Sequence, residues 1–415
     1  MAHLLVIELP GGNDYDLLKA ASDRGDRFTF LTQDLTHYKA LPEVWEWIGR
    51  ASHHVESNDF TYPELERLVG DIHREDRIEA LLCLIDIRLI EASKLAKFLG
   101  VKYLNTTSAE LLRDKFNVRE RLRSHGIDQP EFHLATTNDE IQLAVDALGL
   151  PVLIKPSDGY GSQNILTLQS PDDLDPELNQ LQNLLPIKSN YGLGVVSNDR
   201  LLVERYMSGV LIGCDTFTHN GKHQLLGVNQ KLMFPSPSFA IKGGCFLPFN
   251  SAWKELEKYI FSLLDAVSFD YGATHIEIMV TNEGPRLVEI NPRLVGAKIP
   301  RLISFSLNRS IHSDLIDLHL GHGLVDLSQI QDPNASVTRW ITTSQAGTLE
   351  SVELPVWSDD GIRCVEILKK SGEHVSYPFE NSQRIGYVMT TAKTQAEAEE
   401  IADRFIADTK VIVQS

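Results

Sequence analysis

HIEIMVTNEGPRLVEINPR, residues 275–293, reads as a β-hairpin with its acids in an unexpected place. Hydrophobics alternate along 275–281, Asn282-Glu283-Gly284 supplies turn chemistry, and 286–290 alternates again. A three-residue loop at 282–284 sets Thr281 opposite Pro285. Glu277 then falls opposite Glu289, and Asn291 lies on the same side of its strand as Glu289. Facing residues sit roughly 4.5–5.5 Å apart, and like charges so placed repel unless something positive lies between them.

A solvent-facing strand is the plain explanation, yet LVEINP is apolar on both sides of its acid and ends at a proline-fixed turn. A hard cation takes oxygen ligands. Two carboxylates and an Asn carbonyl oxygen, completed by waters and phosphate oxygens, suit Mg²⁺. Glu277, Glu289 and Asn291 are therefore the candidate metal ligands.

Three upstream segments bear on the phosphates. In KPSDGYGS, Lys155–Ser162, Gly159 and Gly161 permit backbone conformations that aim several N–H groups into one concavity. The GK[ST] ending of a P-loop is missing and strands flank the segment, so it reads as a hairpin flap with Lys155 at its root; the bland alternative is an ordinary hairpin. LLRDKFNVRERLRSHGI, residues 111–127, reads in isolation as a solvated helix face. LLVERYMSG, residues 201–209, places Glu204 and Tyr206 in an otherwise apolar strand, where backbone groups could read an adenine edge.

The bulk numbers bound the rest. A chain of 415 residues exceeds one ordinary core, and about 150 residues per domain suggests two to four. The 39 basic residues against 57 acidic give −18, which opposes binding to nucleic acid or anionic lipid. The longest apolar runs, such as LLCLI at 81–85, stop far short of the ~18 residues a membrane span needs. MAHLLVIELPGG carries Glu8 in its short apolar run and no basic segment before it, so it reads as a first strand, and a cytoplasmic enzyme is expected. Cys83, Cys214, Cys245 and Cys364 form no C-x-x-C pair and read as buried or incidental thiols.

Along residues 1–105, strand-like and helix-like segments alternate as an open α/β domain; Gly11-Gly12 lacks the G-x-G-x-x-G spacing of a dinucleotide site. Residues 106–335 form a large central α+β region. It opens with a helix over 106–126 capped near Thr107-Ser108, contains a flap or lid of about 150–210, and turns a hairpin at Asn220-Gly221. Residues 336–415 read as a small C-terminal α+β cap.

Taken in order, RDK at 113–115, VLIKP followed by DGYGS, VERYMSG, and Glu277 with VEINPRLVG resemble the ATP-grasp superfamily across roughly residues 1–335. SQRIGYVMTTAKTQAEAEEIADRF resembles the cap of the carboxylate–amine ligase branch, and within it the chain looks most like the L-amino acid ligases that make dipeptides. The resemblance implies an ATP-grasp fold, α/β and α+β, with an N-terminal pre-ATP-grasp domain. It also implies ATP and Mg²⁺, with Mn²⁺ as an alternative, and small-molecule carboxylate and amine substrates, together with a homodimer through the α/β domain. Lys115 and Lys155 match lysines on ATP phosphates, Ser162 and its neighbours the flap, and Glu204 with Tyr206 the adenine hinge. Glu277, Glu289 and Asn291 match the magnesium ligands, and Arg293 the arginine beside the transferring phosphoryl group, where it would be catalytic.

Two departures stand out. Relatives often carry a ribose-holding acid seven residues beyond the hinge Glu, where this chain has Leu211; Asp215 is either its substitute or a second acid. In the loop PSPSFAIKGGCFLP, where dipeptide ligases often place a Glu and a His, this chain has Ile241, Lys242, Gly243 and Gly244. Lys242, Gly243 and Gly296 are the candidate substrate contacts, in a pocket unlike the usual one. The resemblance implies phosphorylation of a carboxylate and attack of an amine on the acyl phosphate, joining two amino acids. The alternatives are a non-peptide amide of another small metabolite, purine-pathway ligases included, and an ATP-binding regulatory protein on the same fold.

Overall fold

The computed structural model describes residues 1–12, 14–159, 165–170, 200–235, 240–330, 332–357, 361–378 and 381–414. Near the N-terminus, strands β1 (His3–Ile7), β2 (Arg27–Thr32), β3 (His53–Glu56) and β4 (Ala80–Cys83) form a parallel sheet in the order β3-β2-β1-β4. Every residue of β1 and β4 is buried, as expected of parallel strands covered on both faces. Leu5, Ile7, Leu81 and Cys83 pack toward Leu65, Val69, Leu95 and Leu99 of the flanking helices; Leu4, Val6 and Leu82 join a core that reaches the central region. The period of two thus assigns each side of the strand to a different helix layer.

A second, antiparallel sheet holds β5 (Phe132–Ala135), β6 (Val152–Pro156), β7 (Leu166–Leu168) and β8 (Leu201–Arg205) in the order β5-β8-β6-β7. The helix Asn138–Leu148, opened by a Thr137/Glu140 capping box, packs on it through Ile141, Ala144 and Val145. This unit therefore begins before residue 150, where sequence alone started the lid.

The central sheet has eight strands in the order β13-β12-β9-β10-β11-β14-β18-β16. They are β9 (Val210–His219), β10 (Lys222–Met233), β11 (Ile241–Pro248), β12 (Tyr271–Thr281), β13 (Gly284–Asn291), β14 (Ala335–Ile341), β16 (Ile362–Ile367) and β18 (Gly386–Ala392). A separate small sheet joins β15 (Gly347–Glu353), β17 (His374–Val375) and β19 (Lys410–Gln414). Strands from either side of residue 336 share the central sheet, because β11 pairs with β14. The C-terminal segment thus extends that sheet as well as capping it. Asn220 and Gly221 both adopt positive φ, 50° and 74°, and join β9 to β10 through the two-residue turn that Asn-Gly favours.

Two expectations are corrected. The stretch 106–126 is two helices, Thr106–Leu112 and Lys115–Ser124, capped by Asn105 and Asp114. Asp114 accepts from the Asn117 N–H and from the Ser157 hydroxyl, which ends one helix and starts the next. PSPSFAIKGGCFLP is not a loop throughout, since Ile241–Pro248 is strand β11; residues 236–239 lie outside the described set. A Cβ on Gly243 would stand 2.3 Å from the Thr338 carbonyl oxygen of β14, so close strand approach accounts for this glycine. No helix among the described residues is long and apolar enough to cross a membrane. The four cysteines are free thiols.

Candidate functional site

The acidic hairpin reaches its predicted pairing by another route. Thr281 pairs with Gly284 and Val280 with Pro285, so the turn has two residues, Asn282 and Glu283, where sequence suggested three. Continued without a break, that register would set Glu277 opposite Val288 and send Glu289 to the other face. A bulge intervenes. Ile278 pairs with Leu287 and Glu277 with Glu289, leaving Val288 as the extra residue. Ile276, Ile278, Leu287 and Ile290 pack with Ile260, Leu263 and Leu264 of the helix Lys254–Ala266, which fixes the apolar face and leaves the acids on the opposite one.

The positive charge beside these acids comes from two lysines and a histidine. Lys115 Nζ lies 2.9 Å from Glu289 Oε1 and donates to the Gly159 carbonyl oxygen at 2.6 Å. Lys231 Nζ lies 3.4 Å from Glu277 Oε1. His275, next along the same face, places Nδ1 3.0 Å from Asp215 Oδ1 and Nε2 3.8 Å from Glu277 Oε1. Burial works against a charged imidazole, but Asp215 and Glu277 raise His275 to about 9. Burial also works against a charged Glu277, yet His275 and Lys231 hold it down to about 2. Glu277 is thus a carboxylate at neutral pH.

A cavity of about 270 Å³ opens between the lid sheet and the central sheet. Of the residues singled out from sequence, Lys115, Lys155, Gly159, Glu204, Tyr206, Glu277 and Glu289 all line it. Lys155, at the end of β6, is buried with Nζ 2.7 Å from Glu204 Oε2. Both carboxylate oxygens of Glu204 are engaged by cations. Its Oε1 accepts from Arg119 Nε at 2.5 Å, and against the effect of burial these two cations depress it to about 2. Any contact of residue 204 with a base would then fall to its main chain. Tyr206 follows β8 and is exposed.

Arg293 sits just past β13, its Nη2 3.4 Å from Asn291 Oδ1 and 2.6 Å from Asp86 Oδ2. Burial works against its charge, and Asp86 more than offsets it. Asp86 follows β4, at the carboxyl edge of the N-terminal sheet, where open α/β sheets bind ligands. Its Oδ1 is buried without a partner among the described residues.

Other expected residues stand elsewhere. Asp215 is not brought to the cavity; it is buried against His275 and accepts from Asn229 Nδ2 at 2.6 Å, so its oxygens are already engaged. Lys242 is exposed on β11 and Gly243 is packed against β14, neither lining the cavity. Gly296 lies in the loop after Arg293 with open space beside it. Gly161 and Ser162 lie outside the described residues. Sequence reasoning passed over Arg119, Asp86, Lys231 and His275. Arg119 had a signal: it lies four residues after Lys115 and three before buried Leu122, hence on the inward side of its helix.

The donor set fits a cation that arrives with its ligand. Among the described residues, no three His, Cys, Asp or Glu side chains form a ready-made metal cage. Mg²⁺ seldom uses such a cage: it keeps waters and binds one or two carboxylates plus substrate phosphates. Two facing carboxylates beside two lysines meet that description.

Residues 148–300 match the ATP-grasp domain family and residues 339–414 match L-amino acid ligase C-terminal domain 2. The chain is similar to the uncharacterized protein y4rH of Sinorhizobium fredii, 23% identical over 379 residues, covering 88% of this chain and 75% of that one. It is 22% identical over 279 residues to an L-arginine-specific L-amino acid ligase of Bacillus subtilis, covering 66% of this chain and 63% of that enzyme, just under two thirds of its length. The crystal structure of an L-amino acid ligase from Bacillus licheniformis superposes with a TM-score of 0.76 at 16% identity, covering 100% of this chain and 99% of that one, which establishes the shared fold.

Proposed function

We propose, from the premise that this chain is an ATP-grasp protein carrying an L-amino acid ligase C-terminal domain, that it joins two amino acids, or an amino acid and a related small amine, by an amide bond with release of ADP and phosphate. The observation that carries the proposal is the convergence of Lys115, Lys155, Glu277 and Glu289 on one cavity, with Asn291 two residues beyond Glu289 on β13 and Arg293 beside it.

ATP is the phosphoryl donor and a substrate of the reaction. A carboxylate oxygen of the first substrate attacks the γ-phosphorus and ADP leaves. The amine of the second substrate then attacks the acyl carbon, phosphate leaves, and the amine gives up a proton. Mg²⁺, when bound, neutralises charge on the phosphates. Glu277, Glu289 and Asn291 are the groups that would hold it. Lys155 and Lys115 would contact phosphate oxygens, since both residues line the cavity. Arg293, fixed by Asp86, supplies a rigid cation for charge that develops during transfer. No side-chain nucleophile is required.

The departure at Ile241–Gly244 favours one second reading: an amide formed on a different small metabolite. β11 is occupied by strand pairing where a dipeptide ligase often places polar contacts. Screening amino-acid pairs for ATP-dependent phosphate release, with mass detection of the product, separates the two. A dipeptide mass supports the first reading, and phosphate release confined to non-amino-acid partners replaces it with the second.

Lys155→Ala is expected to raise the dissociation constant for ATP by about 10–100-fold, the equivalent of roughly 1.5–3 kcal/mol for a hydrogen bond to a charged group. Glu204 keeps Arg119 as a cation, so the variant is expected to fold. Calorimetric titration with ATP checks this, and an unchanged dissociation constant assigns Lys155 to the packing of the lid alone.

A further inference from the structure

Arg119 is 2% exposed although it lies in the charged segment KFNVRERLRS. A guanidinium is buried at considerable cost unless its donors are paired, and its two partners among the described residues lie in different sheets. Nε donates to Glu204 Oε1 on β8, whose Oε2 lies 2.7 Å from Lys155 Nζ. Nη2 donates at 3.2 Å to the main-chain oxygen of Val288, the extra residue of the β13 bulge. The neighbouring main-chain N–H, that of Leu287, donates to the Tyr259 hydroxyl at 2.9 Å, and that hydroxyl donates at 2.8 Å to the Asp128 carbonyl oxygen. The bulged residue and the residue before it are therefore each held by a side chain from a helix.

The bulge has a definite consequence. With Val288 taken into the ladder and no bulge, Glu289 would face the apolar side of β13, away from Glu277. A bulge disrupts the ladder locally, so holding it in one geometry requires partners outside the ladder.

We infer that Arg119 and Tyr259 are positioning residues: together they clamp the Val288 bulge that turns Glu289 toward Glu277, and Arg119 alone also orients Lys155 through Glu204. Arg119 thereby sets the spacing between a lysine of the lid sheet and a carboxylate of the central sheet. This rests on the nucleotide reading above.

The two clamps differ in reach, which makes the proposal testable. Arg119→Lys keeps a positive charge but replaces a planar fork with a single ammonium group, which does not serve both partners. Tyr259→Phe removes the acceptor of the Leu287 N–H and the donor to the Asp128 carbonyl oxygen, and leaves the Arg119–Glu204–Lys155 contacts in place. Binding of a non-hydrolysable ATP analogue is measured by calorimetry in EDTA and across a Mg²⁺ titration, alongside Mg²⁺-dependent phosphate release. Removing groups that support metal ligands typically costs about 10–100-fold. Arg119→Lys is expected to raise the half-saturating Mg²⁺ concentration by that factor and also to weaken analogue binding in EDTA. Tyr259→Phe is expected to raise the Mg²⁺ requirement while leaving binding in EDTA unchanged. A purely structural role would lower the melting temperature without this split.

Wild-type Mg²⁺ dependence and analogue affinity in a folded Arg119→Lys variant would overturn the inference. If that variant does not fold, Tyr259→Phe decides: an unchanged Mg²⁺ requirement overturns the clamp. Failure of the unsubstituted protein to bind the analogue is a separate outcome, and it removes the nucleotide reading itself together with the inference built on it.

Discussion

Glu289→Gln is expected to lower turnover by about 10²–10³-fold or more, the scale seen when one preorganised electrostatic group is removed from a reaction centre, while melting as the unsubstituted protein does. The substitution preserves shape and removes charge. Glu289 pairs with Lys115 at 2.9 Å in a partly exposed position, where an ion pair contributes little to folding, so stability has little to lose. Function has more to lose, because the facing Glu277 is a carboxylate held at low pKa and the pair is the only facing acidic couple on the β12–β13 hairpin. Steady-state phosphate release at saturating ATP and ordinary magnesium measures the effect. Activity within a few-fold of the unsubstituted protein would remove the pair from the metal assignment.

The second large effect is expected at Arg293. Arg293→Ala is expected to lower kcat by about 10²–10³-fold while changing the KM for ATP much less, since the guanidinium is assigned to charge that grows during transfer. Asp86 complicates the simplest version, because it would lose its partner in a largely buried position. Arg293→Lys is the control: it leaves Asp86 a cation but loses the two-pronged contact made by Nε and Nη2. A deficit in kcat shared by both variants supports the assignment. A rise confined to KM would make Arg293 a binding residue and strengthen the regulatory-protein alternative.

Much of this site was legible because its motifs are local. Lys155 closes an apolar strand run and Glu277 and Glu289 lie within one hairpin, so period and turn chemistry bring them together with no knowledge of the rest of the chain. Even there the details diverged. The expected pairing of Glu277 with Glu289 holds, but through a two-residue turn and a bulge, because Val288 is displaced from the ladder by contacts to Arg119 that come from 169 residues away. Long-range contacts of that kind leave no periodic trace.

The same limit explains the other differences. Asp86 and Arg293 are 207 residues apart, and nothing in either segment names the other. Asp215 invited a ligand role as an acid in a strand near the hinge, whereas the fold spends both its oxygens on His275 and Asn229. Gly213 supports that arrangement, since a Cβ there would stand 2.4 Å from the His275 ring. Arg119 was masked by its neighbours: in a run of charged residues, the one that turns inward looks like the others until the packing of Val118 and Leu122 shows which side of the helix is buried. The layering of the N-terminal sheet follows from its strands, since β1 is apolar after His3 and β4 is apolar throughout, which requires cover on both faces. The shared sheet across residue 336 does not, because strand order is decided by pairing and not by local sequence.

The central claim is that a carboxylate is activated by phosphoryl transfer, and the nucleotide product tests it most directly. With the purified protein, Mg²⁺, ATP and an accepted pair of substrates, the account predicts one ADP and one phosphate for each amide bond formed, quantified together by chromatography and mass detection. Appearance of AMP and pyrophosphate in step with the amide would contradict it.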